Sequence, residues 1–302
     1  MSLIDATGTS MREPGAHMAV AEDGLFVGSL SGGCIERAVV AEAVEAIAAG
    51  VPRVTRFGKG SPYIDIRLPC GGGVDLHFQP LLDADLVHQA LSALAERRAF
   101  TLDLSITARP PRLSDGWHPS RWIPDQGRAL VGHWPDPRVL IVGHGAAVAK
   151  LAALGRVWGA DISVLTPDTA LAAQLMHDGV AVQTLTSPQD KAPLVSDAWT
   201  AIVFLFHDHD WEPALIAHAL AQPHFFLGAM GSRLAHAHRS AALRFLGVSE
   251  AAIAGVSAPI GLFHSVRDPA TLAISVLAEV AERYRTKVAV ATTAPDAVDI
   301  EI

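Results

Sequence analysis

The second half of the chain alternates patterns typical of buried strands with patterns typical of helices. Nearly continuous apolar runs at 139–142 and 200–206, as strands buried on both faces require, each lead into a segment with helical periodicity. A further strand pattern at 161–165 lies between them and is also followed by a helical pattern. This alternation predicts a Rossmann-like parallel-sheet domain over residues 138–285. Residues 286–302 are aperiodic and are expected to form a tail.

Residues 1–107 have a different pattern, in which short alternating strands surround two helical segments. The strands fall at 17–20, 25–27, 54–57, 63–68, 74–78 and 101–107, and the helices at 35–49 and 81–99. Residues 4–15 are rich in turn-forming residues and are expected to be irregular. The fold class is therefore α/β, with a smaller α+β N-terminal domain ahead of the Rossmann-like domain. Residues 108–137 are rich in proline and predict a linker without a core of its own.

The chain has two cysteines, and each lies beside a run of glycines. Cys70 follows an alternating run and precedes three glycines, whereas Cys34 follows two glycines and precedes a helical segment. Glycine lets the backbone approach a ligand closely, and successive N–H groups in such a turn bind anions. A helix N-terminus also favours the thiolate form of cysteine. The two cysteine-glycine loops favour a shared ligand site over two buried small side chains, with a Cys34–Cys70 disulfide acting as a redox switch as an alternative.

Gly143 and Gly145 follow a predicted strand and open a helix, which is the context of the dinucleotide-binding fingerprint. Two features depart from that fingerprint. Val148 occupies the third glycine position, and Thr166 ends the next strand where an acid would hold a ribose hydroxyl. Asp168 follows Pro167 and is also suited to capping the next helix. An NAD(P)-dependent oxidoreductase is thus the alternative function, and a Rossmann-type scaffold without a dinucleotide is a further interpretation.

Polar residues follow two other predicted strands of this domain. His207 and His209 come after the strand at 200–206, and alternate strand side chains share a face, so a metal site is one interpretation. The alternatives are contact with an organic ligand at the carboxyl end of the sheet and capping of the helix that begins at Glu212. Ser232 and Arg233 begin a helix after a strand, which suits a phosphate group or an ordinary helix cap by the serine.

Composition narrows the class of protein. The 302 residues carry a net charge of −8 without a basic block, which argues against nucleic acid and against an anionic membrane surface as partners. Half of the residues are hydrophobic and 18% are charged, as in globular proteins. Two cysteines do not make a disulfide framework, and no signal peptide or membrane span opens the sequence. These features predict a cytoplasmic protein.

The motifs together resemble those of the XdhC/CoxI-type maturation factors, the xanthine dehydrogenase accessory proteins. The cysteine-glycine loops, Ser31-Gly-Gly-Cys-Ile-Glu36 and Leu68-Pro-Cys-Gly-Gly-Gly-Val-Asp75, are similar to the paired signatures of that family, as Arg12-Glu-Pro-Gly-Ala16 is to its early loop. The C-terminal half resembles the family's Rossmann domain at His207–Asp210, Gly228–Arg233 and Pro259–Leu262.

The resemblance implies a protein that binds molybdenum cofactor, supports its sulfuration and inserts it into a xanthine dehydrogenase-type apoprotein, without turnover of its own. We accordingly predict that apoprotein, a cysteine desulfurase as sulfur donor and a second copy in a homodimer as partners. Cys34 and Cys70 are the implied contacts of the cofactor and its molybdenum. The residues implied to shape the loops are Gly32, Gly33, Gly71, Gly72 and Gly73, and the candidate cofactor contacts in the C-terminal domain are Gly143, Gly145, Ser232 and Arg233.

Overall fold

The computed structural model describes residues 1–8, 12–30, 35–61, 68, 71–81, 84–107, 109–263 and 266–293. The chain divides into two compact units, Met1–Pro135 and Asp136–Ile302. The first is a mixed α and β unit, and the second contains a parallel sheet. The predicted α/β fold class is confirmed.

The N-terminal unit contains nine strands and two helices among the residues described. The strands are β1 (Ser2–Thr7), β2 (Met18–Val20), β3 (Phe26–Gly28), β4 (Arg53–Gly58), β5 (Gly73–Phe78), β6 (Phe100–Ser105), β7 (Arg112–Asp115), β8 (Arg121–Ile123) and β9 (Arg128–His133). The helices are α1 (Glu36–Ala49) and α2 (Asp85–Ala95). The strands form antiparallel sheets in the orders β1-β5-β4 and β7-β6-β9-β8, while β2 and β3 make a hairpin.

Strand alternation explains how the three-stranded sheet packs against α1 and against the four-stranded sheet. Val74, Leu76 and Phe78 of β5 lie in one buried cluster together with Val39 of α1. Ile4 of β1 instead belongs to a second cluster, formed with Leu104, Ala129 and Val131 of the four-stranded sheet. The three-stranded sheet is therefore covered by α1 on one face and by the four-stranded sheet on the other.

Two segments of this unit differ from the sequence-based prediction. Residues 108–137 are not a linker, because three strands within them pair with β6 or with one another. Their prolines fall between the strands rather than inside them, and Trp117 stacks on Trp134 with ring centroids 4.4 Å apart. Residues 4–7, expected to be irregular, belong to β1. In this strand the neighbouring residues Leu3 and Ile4 are both buried, so its sequence lacks the alternation of apolar and polar residues typical of a strand.

The C-terminal unit alternates strands and helices along the chain. The strands are β10 (Arg138–Gly143), β11 (Asp161–Thr166), β12 (Ala181–Thr184), β13 (Thr200–Leu205) and β14 (Phe226–Ala229). The helices are α3 (Ala146–Trp158), α4 (Thr169–His177), α5 (Glu212–Leu220), α6 (Arg233–Phe245), α7 (Glu250–Ala254) and α8 (Pro269–Thr293). All strand pairs are parallel, in the order β12-β11-β10-β13-β14. The predicted Rossmann-like sheet is confirmed.

Helices cover both faces of this sheet. Val139 and Ile141 of β10 pack with residues of α3, α4 and α8, whereas Leu140 and Val142 pack with residues of α5, α6 and α7. The strand order changes direction between β10 and β13, so the carboxyl ends of those strands flank the crevice where such folds bind ligands.

The predicted tail begins inside a helix, because α8 continues to Thr293. Lys287 lies over the ring of Trp199, with its Nζ 4.7 Å from the ring centroid, and this contact holds the extended helix against the unit. None of the helices in the described ranges combines the length and the apolar character that crossing a membrane requires.

Candidate functional site

The described borders of the two cysteine-glycine loops converge on one hydrophobic cluster. Leu30 and Ile35 flank the first loop, Leu68 precedes the second, and all three are buried in the cluster that also contains Val74. Cys34, Cys70, Gly32 and Gly33 lie outside the described residues. The shared cysteine site therefore stays a prediction, and the structure brings the borders of both loops to a common core.

The glycines after Cys70 permit a close approach between neighbouring strands. The N–H of Lys59 donates to the carbonyl of Gly72 at 2.8 Å. A Cβ added to Gly73 would lie 2.6 Å from the carbonyl oxygen of Lys59, and one added to Gly58 would lie 2.4 Å from that of Gly72. Gly71 has a φ of 70° and open space around the position of a Cβ. Gly58 and Gly73 are thus required by packing, while Gly71 is exposed and has room around it.

Arg56 ties this glycine loop to two other segments. Its guanidinium donates to Asp75 Oδ2 at 2.6 Å, to Thr7 Oγ1 at 2.6 Å and to the carbonyl of Lys59 at 2.8 Å. Burial raises the pKa of Asp75, an effect that the positive charge of Arg56 partly offsets. These contacts join the ends of β1, β4 and β5 beside Gly73.

Replacing Arg56 by glutamine is expected to lower the free energy of unfolding by about 2 kcal/mol, since three hydrogen bonds of a charged donor are lost and Asp75 keeps a partly buried charge. Urea unfolding of the full chain measures the change. Arg98→Gln is the matched control because Arg98 forms exposed ion pairs with Glu96 and Asp115, which contribute little. Equal losses in the two variants would show that Arg56 does not anchor the loop.

A buried carboxylate joins the two borders of the first loop. Glu36 is the first residue of α1, and its Oε1 accepts a hydrogen bond from the hydroxyl of Ser29 at 3.1 Å. Its Oε2 accepts from the N–H of Ile35, also at 3.1 Å. The segment that contains Cys34 is therefore bracketed by residues bound to one carboxylate at a helix start, where negative charge is favourable.

In the C-terminal unit, two histidines meet across the crevice between β10 and β13. His144 follows β10 and His207 follows β13, and their ring centroids are 5.9 Å apart. Phe206 lies beneath them, edge-on to His144 at 5.5 Å and stacked on Trp211 at 5.8 Å. Two imidazole rings next to a buried phenylalanine can contact an anionic or an aromatic ligand.

The predicted arrangement of His207 and His209 on one strand face is wrong. The strand β13 ends at Leu205, and residues 209–211 form a single 3-10 turn, so strand alternation does not apply. Asp208 closes this turn by accepting the N–H of Asp210 at 3.1 Å. Across the part of the chain that the structure describes, no three histidine, cysteine or acidic side chains are grouped to hold a metal ion.

The glycines of the fingerprint have separate roles. A Cβ on Gly143 would lie 2.4 Å from the carbonyl oxygen of Leu205, so packing against β13 requires glycine there. Gly145 precedes α3 with a φ of 85° and open space around it. Asp168 caps α4 by accepting the N–H groups of Ala170 and Leu171 at 3.0 Å, which is the capping role considered for it. Its carboxylate is thus engaged within the chain.

An open groove between α3 and α4 was not foreseen from the sequence. It has a volume of about 1050 Å³ and extends from Gly145 and Asp168 at one end to Arg156 and Asp178 at the other. This volume is sufficient for a nucleotide-sized ligand. Its lining mixes alanines with longer aliphatic and polar side chains of two helices, a pattern that also occurs in ordinary helix packing and carries no distinct signal.

The loop after β14 is held by a buried ion pair. Nη2 of Arg239 donates to the carbonyl of Met230 at 2.7 Å and to Glu212 Oε2 at 2.8 Å. Ser232 caps α6 by accepting the N–H of Ala235 at 3.1 Å, and the neighbouring Arg233 is exposed. The helix-cap interpretation of Ser232 describes this geometry, and phosphate binding by Arg233 stays a prediction.

A second loop at the same edge is fixed by polar side chains of α8. Glu279 accepts the hydroxyl of Ser257 at 2.5 Å and the N–H of Gly261 at 2.6 Å. Ser275 Oγ accepts the N–H of Phe263 at 2.7 Å. Sequence reasoning missed Glu279 and Ser275, for which the available signal was a polar residue at an inward position of a helical pattern.

The chain thus combines an antiparallel N-terminal unit, in which the borders of two glycine loops share one core, with a Rossmann-type unit that follows it in sequence. This combination defines a class of two-unit proteins. The XdhC Rossmann domain model matches residues 139–280, and the model of the XdhC and CoxI family matches residues 1–58. The chain is 35% identical over 289 residues to the molybdenum cofactor insertion chaperone PaoD of Escherichia coli, covering 93% of this chain and 81% of PaoD. The chain belongs to the XdhC/CoxI family, which confirms the resemblance noted in the sequence.

Two further proteins are similar to this chain. The uncharacterized protein YqeB of Escherichia coli is 24% identical over 290 residues, which cover 92% of this chain and 42% of YqeB. A crystal structure described as a xanthine dehydrogenase from Bacillus halodurans superimposes with a TM-score of 0.72 at 19% identity, covering 95% of this chain and 91% of that one. At that identity the likeness supports the fold alone.

Proposed function

We propose that this chain is a molybdenum cofactor insertion chaperone, which binds the cofactor as cargo and passes it to a molybdoenzyme apoprotein. The observation that carries the proposal is the 35% identity to PaoD, which extends over both units of the chain. An activity limited to one unit would not require similarity along the whole length.

The chemistry of the loops supports the same function. Molybdenum and its terminal sulfur are suited to thiolate ligands, for which Cys34 and Cys70 are the proposed donors. The pterin phosphate requires N–H donors, which glycine-rich turns supply, and Gly71 has the open surroundings that a ligand needs. The anchoring of the loop by Arg56 keeps these donors in a fixed arrangement before the cargo arrives.

The test is the cofactor content of protein purified from a molybdate-fed host. Wild type is expected to retain molybdenum and pterin in equal amounts, and Cys34→Ser and Cys70→Ser are expected to retain at least tenfold less. Thermal unfolding of each variant checks that the fold is intact, and thiol counting without reductant detects a Cys34–Cys70 disulfide. Equal cofactor content in all three proteins would reject the thiol role.

The proposal includes the finer assignments made from the sequence. The recipient is a xanthine dehydrogenase-type apoprotein, the sulfur donor for the bound cofactor is a cysteine desulfurase, and the chaperone works as a cytoplasmic homodimer. A cysteine desulfurase mixed with loaded chaperone should raise the activity delivered to the apoprotein. The oxidoreductase alternative receives no support, because Asp168 caps α4 and Thr166 at the end of β11 is fully buried.

A further inference from the structure

A short turn after β4 lies against the glycine loop at 71–73 and carries a lysine. Gly58, Lys59, Gly60 and Ser61 form this turn, which the N–H of Ser61 closes by donating to the carbonyl of Gly58 at 3.0 Å. Gly58 and Gly60 have φ values of 81° and 82°, in the left-handed region that favours glycine. The sequence thus places the single lysine of the N-terminal unit between two glycines.

The backbone of Lys59 is fixed on both sides of its Cα. Its N–H donates to the carbonyl of Gly72 at 2.8 Å, and its own carbonyl accepts a hydrogen bond from Arg56 Nε at 2.8 Å. A Cβ added to Gly73 would lie 2.6 Å from the same carbonyl oxygen, so the turn and the glycine loop are in direct contact. The Cα of Lys59 is therefore held beside the glycine loop by contacts that do not involve its side chain.

The side chain of Lys59, in contrast, is available to a ligand. Lys59 is exposed, and its ammonium group forms no ion pair or hydrogen bond among the residues that the structure describes. Arg56, the other cation at this junction, is already bound to Asp75 and Thr7. The chain carries a net charge of −8, so an anionic ligand needs a local cation to offset the repulsion. Lys59 supplies that cation next to Gly60, whose N–H donates to no other group of the described residues.

We propose that Lys59 binds the phosphate group of the cargo, with the N–H of Gly60 as a further donor. A lysine ammonium group binds phosphate as a point charge, and N–H groups in turns with positive φ form concave anion sites. Gly71 is exposed and has open space around it, which leaves room for the phosphate at this side of the glycine loop. The inference rests on the proposed function and names the residue that holds the anionic end of the cofactor.

The first test measures the cofactor content of full-length variants purified from a molybdate-fed host. Lys59→Met is expected to retain at least fivefold less cofactor than wild type, because a charged partner of the phosphate is lost. Lys59→Arg keeps the charge and should retain cofactor within about twofold of wild type. Lys191→Met is the matched control, since Lys191 is exposed in a loop of the C-terminal unit. Thermal unfolding midpoints should be equal in all four proteins, because the contacts that hold Lys59 belong to its backbone.

The second test needs no cofactor. Wild type is acetylated with a limiting amount of an amine-reactive ester, either in inorganic phosphate or in chloride at equal ionic strength, and mass spectrometry measures the acetylation of each lysine. Phosphate is expected to slow the acetylation of Lys59 at least twofold and to leave that of Lys191 unchanged.

Each test has a result that would overturn the role of Lys59. Equal cofactor content in Lys59→Met and wild type would do so and leave cofactor carriage intact. Equal protection of Lys59 and Lys191 by phosphate, or no protection of either, would also reject a phosphate site at Lys59. Failure of the proposed function is distinguishable: a wild type that carries no cofactor, yet is protected by phosphate at Lys59, would reject the cofactor as cargo and support the anion site.

Discussion

Replacing Arg239 by methionine is expected to lower the free energy of unfolding by about 3–5 kcal/mol, the range typical of breaking a buried ion pair from one side. The side chains of Arg239 and Glu212 are 1% and 0% exposed, and two guanidinium nitrogens of Arg239 donate to Glu212 Oε2, at 3.1 and 2.8 Å. Without Arg239, the carboxylate of Glu212 stays buried among apolar side chains and loses its positively charged partner. The carbonyl of Met230 loses a donor as well.

Arg244→Met provides the matched control, because it removes an arginine of the same helix whose partner Glu250 lies at the surface. Such an exposed pair contributes little to stability, so its urea unfolding midpoint should remain close to that of wild type. The double variant Glu212→Leu, Arg239→Met should recover much of the loss, because no buried charge is left. Equal midpoints for Arg239→Met and Arg244→Met would contradict the role assigned to the buried pair.

The parallel sheet was predictable because its strands are local signals. The runs at 139–142 and 200–206 are apolar on both faces, and each is short, free of proline and followed by a helical pattern. The prediction for residues 108–137 was wrong for the opposite reason. Its strands β7 and β8 are three or four residues long and largely exposed, so their pairing with the sheet, and not their composition, makes them strands.

The candidate site was predictable only in the residues that form contiguous motifs. The two cysteines lie beside glycine runs in the sequence itself, so the motif is local. Arg56 and Asp75, by contrast, become partners only when their two strands pair. The same holds for Ser257 and Glu279, which are joined by a hydrogen bond across 22 residues. Long-range polar pairs depend on strand register and helix placement, which sequence periodicity does not specify.

In both units, buried or half-buried charges hold exposed loops in place. Arg56 fixes the glycine loop of the N-terminal unit, and Arg239 and Glu279 fix the two loops at the carboxyl edge of the parallel sheet. Hydrophobic burial alone does not set the conformation of a loop backbone, because it has no direction. Charged hydrogen bonds are directional, and they therefore fix the orientation of the loop backbone as well as its position.

Acid should destabilise the N-terminal unit through its buried histidines. Burial lowers the pKa of His77 to about 4, and burial together with the neighbouring His133 lowers the pKa of His17 to about 3. The pKa of His133 is also lowered by burial, to about 4. An unfolded histidine has a pKa near 6.5, so the unfolded chain takes up protons first as the pH falls. The contribution of these histidines to the free energy of unfolding is therefore fully present above pH 6.5, and it decreases as the pH falls from 6.5 to about 4.

The variant His77→Leu tests this dependence, since His77 is fully buried in β5 and leucine has a similar size. Wild type is expected to lose about 1.6 kcal/mol through His77 alone between pH 6.5 and pH 5, because the unfolded histidine is half protonated at pH 6.5 and each pH unit corresponds to about 1.4 kcal/mol per proton. Urea unfolding at pH 7.5, 6.5 and 5 should give a slope of stability against pH that is smaller by nearly one proton in His77→Leu. An unchanged slope would mean that His77 takes up its proton as readily in the folded chain as in the unfolded chain, which would contradict this role of its burial.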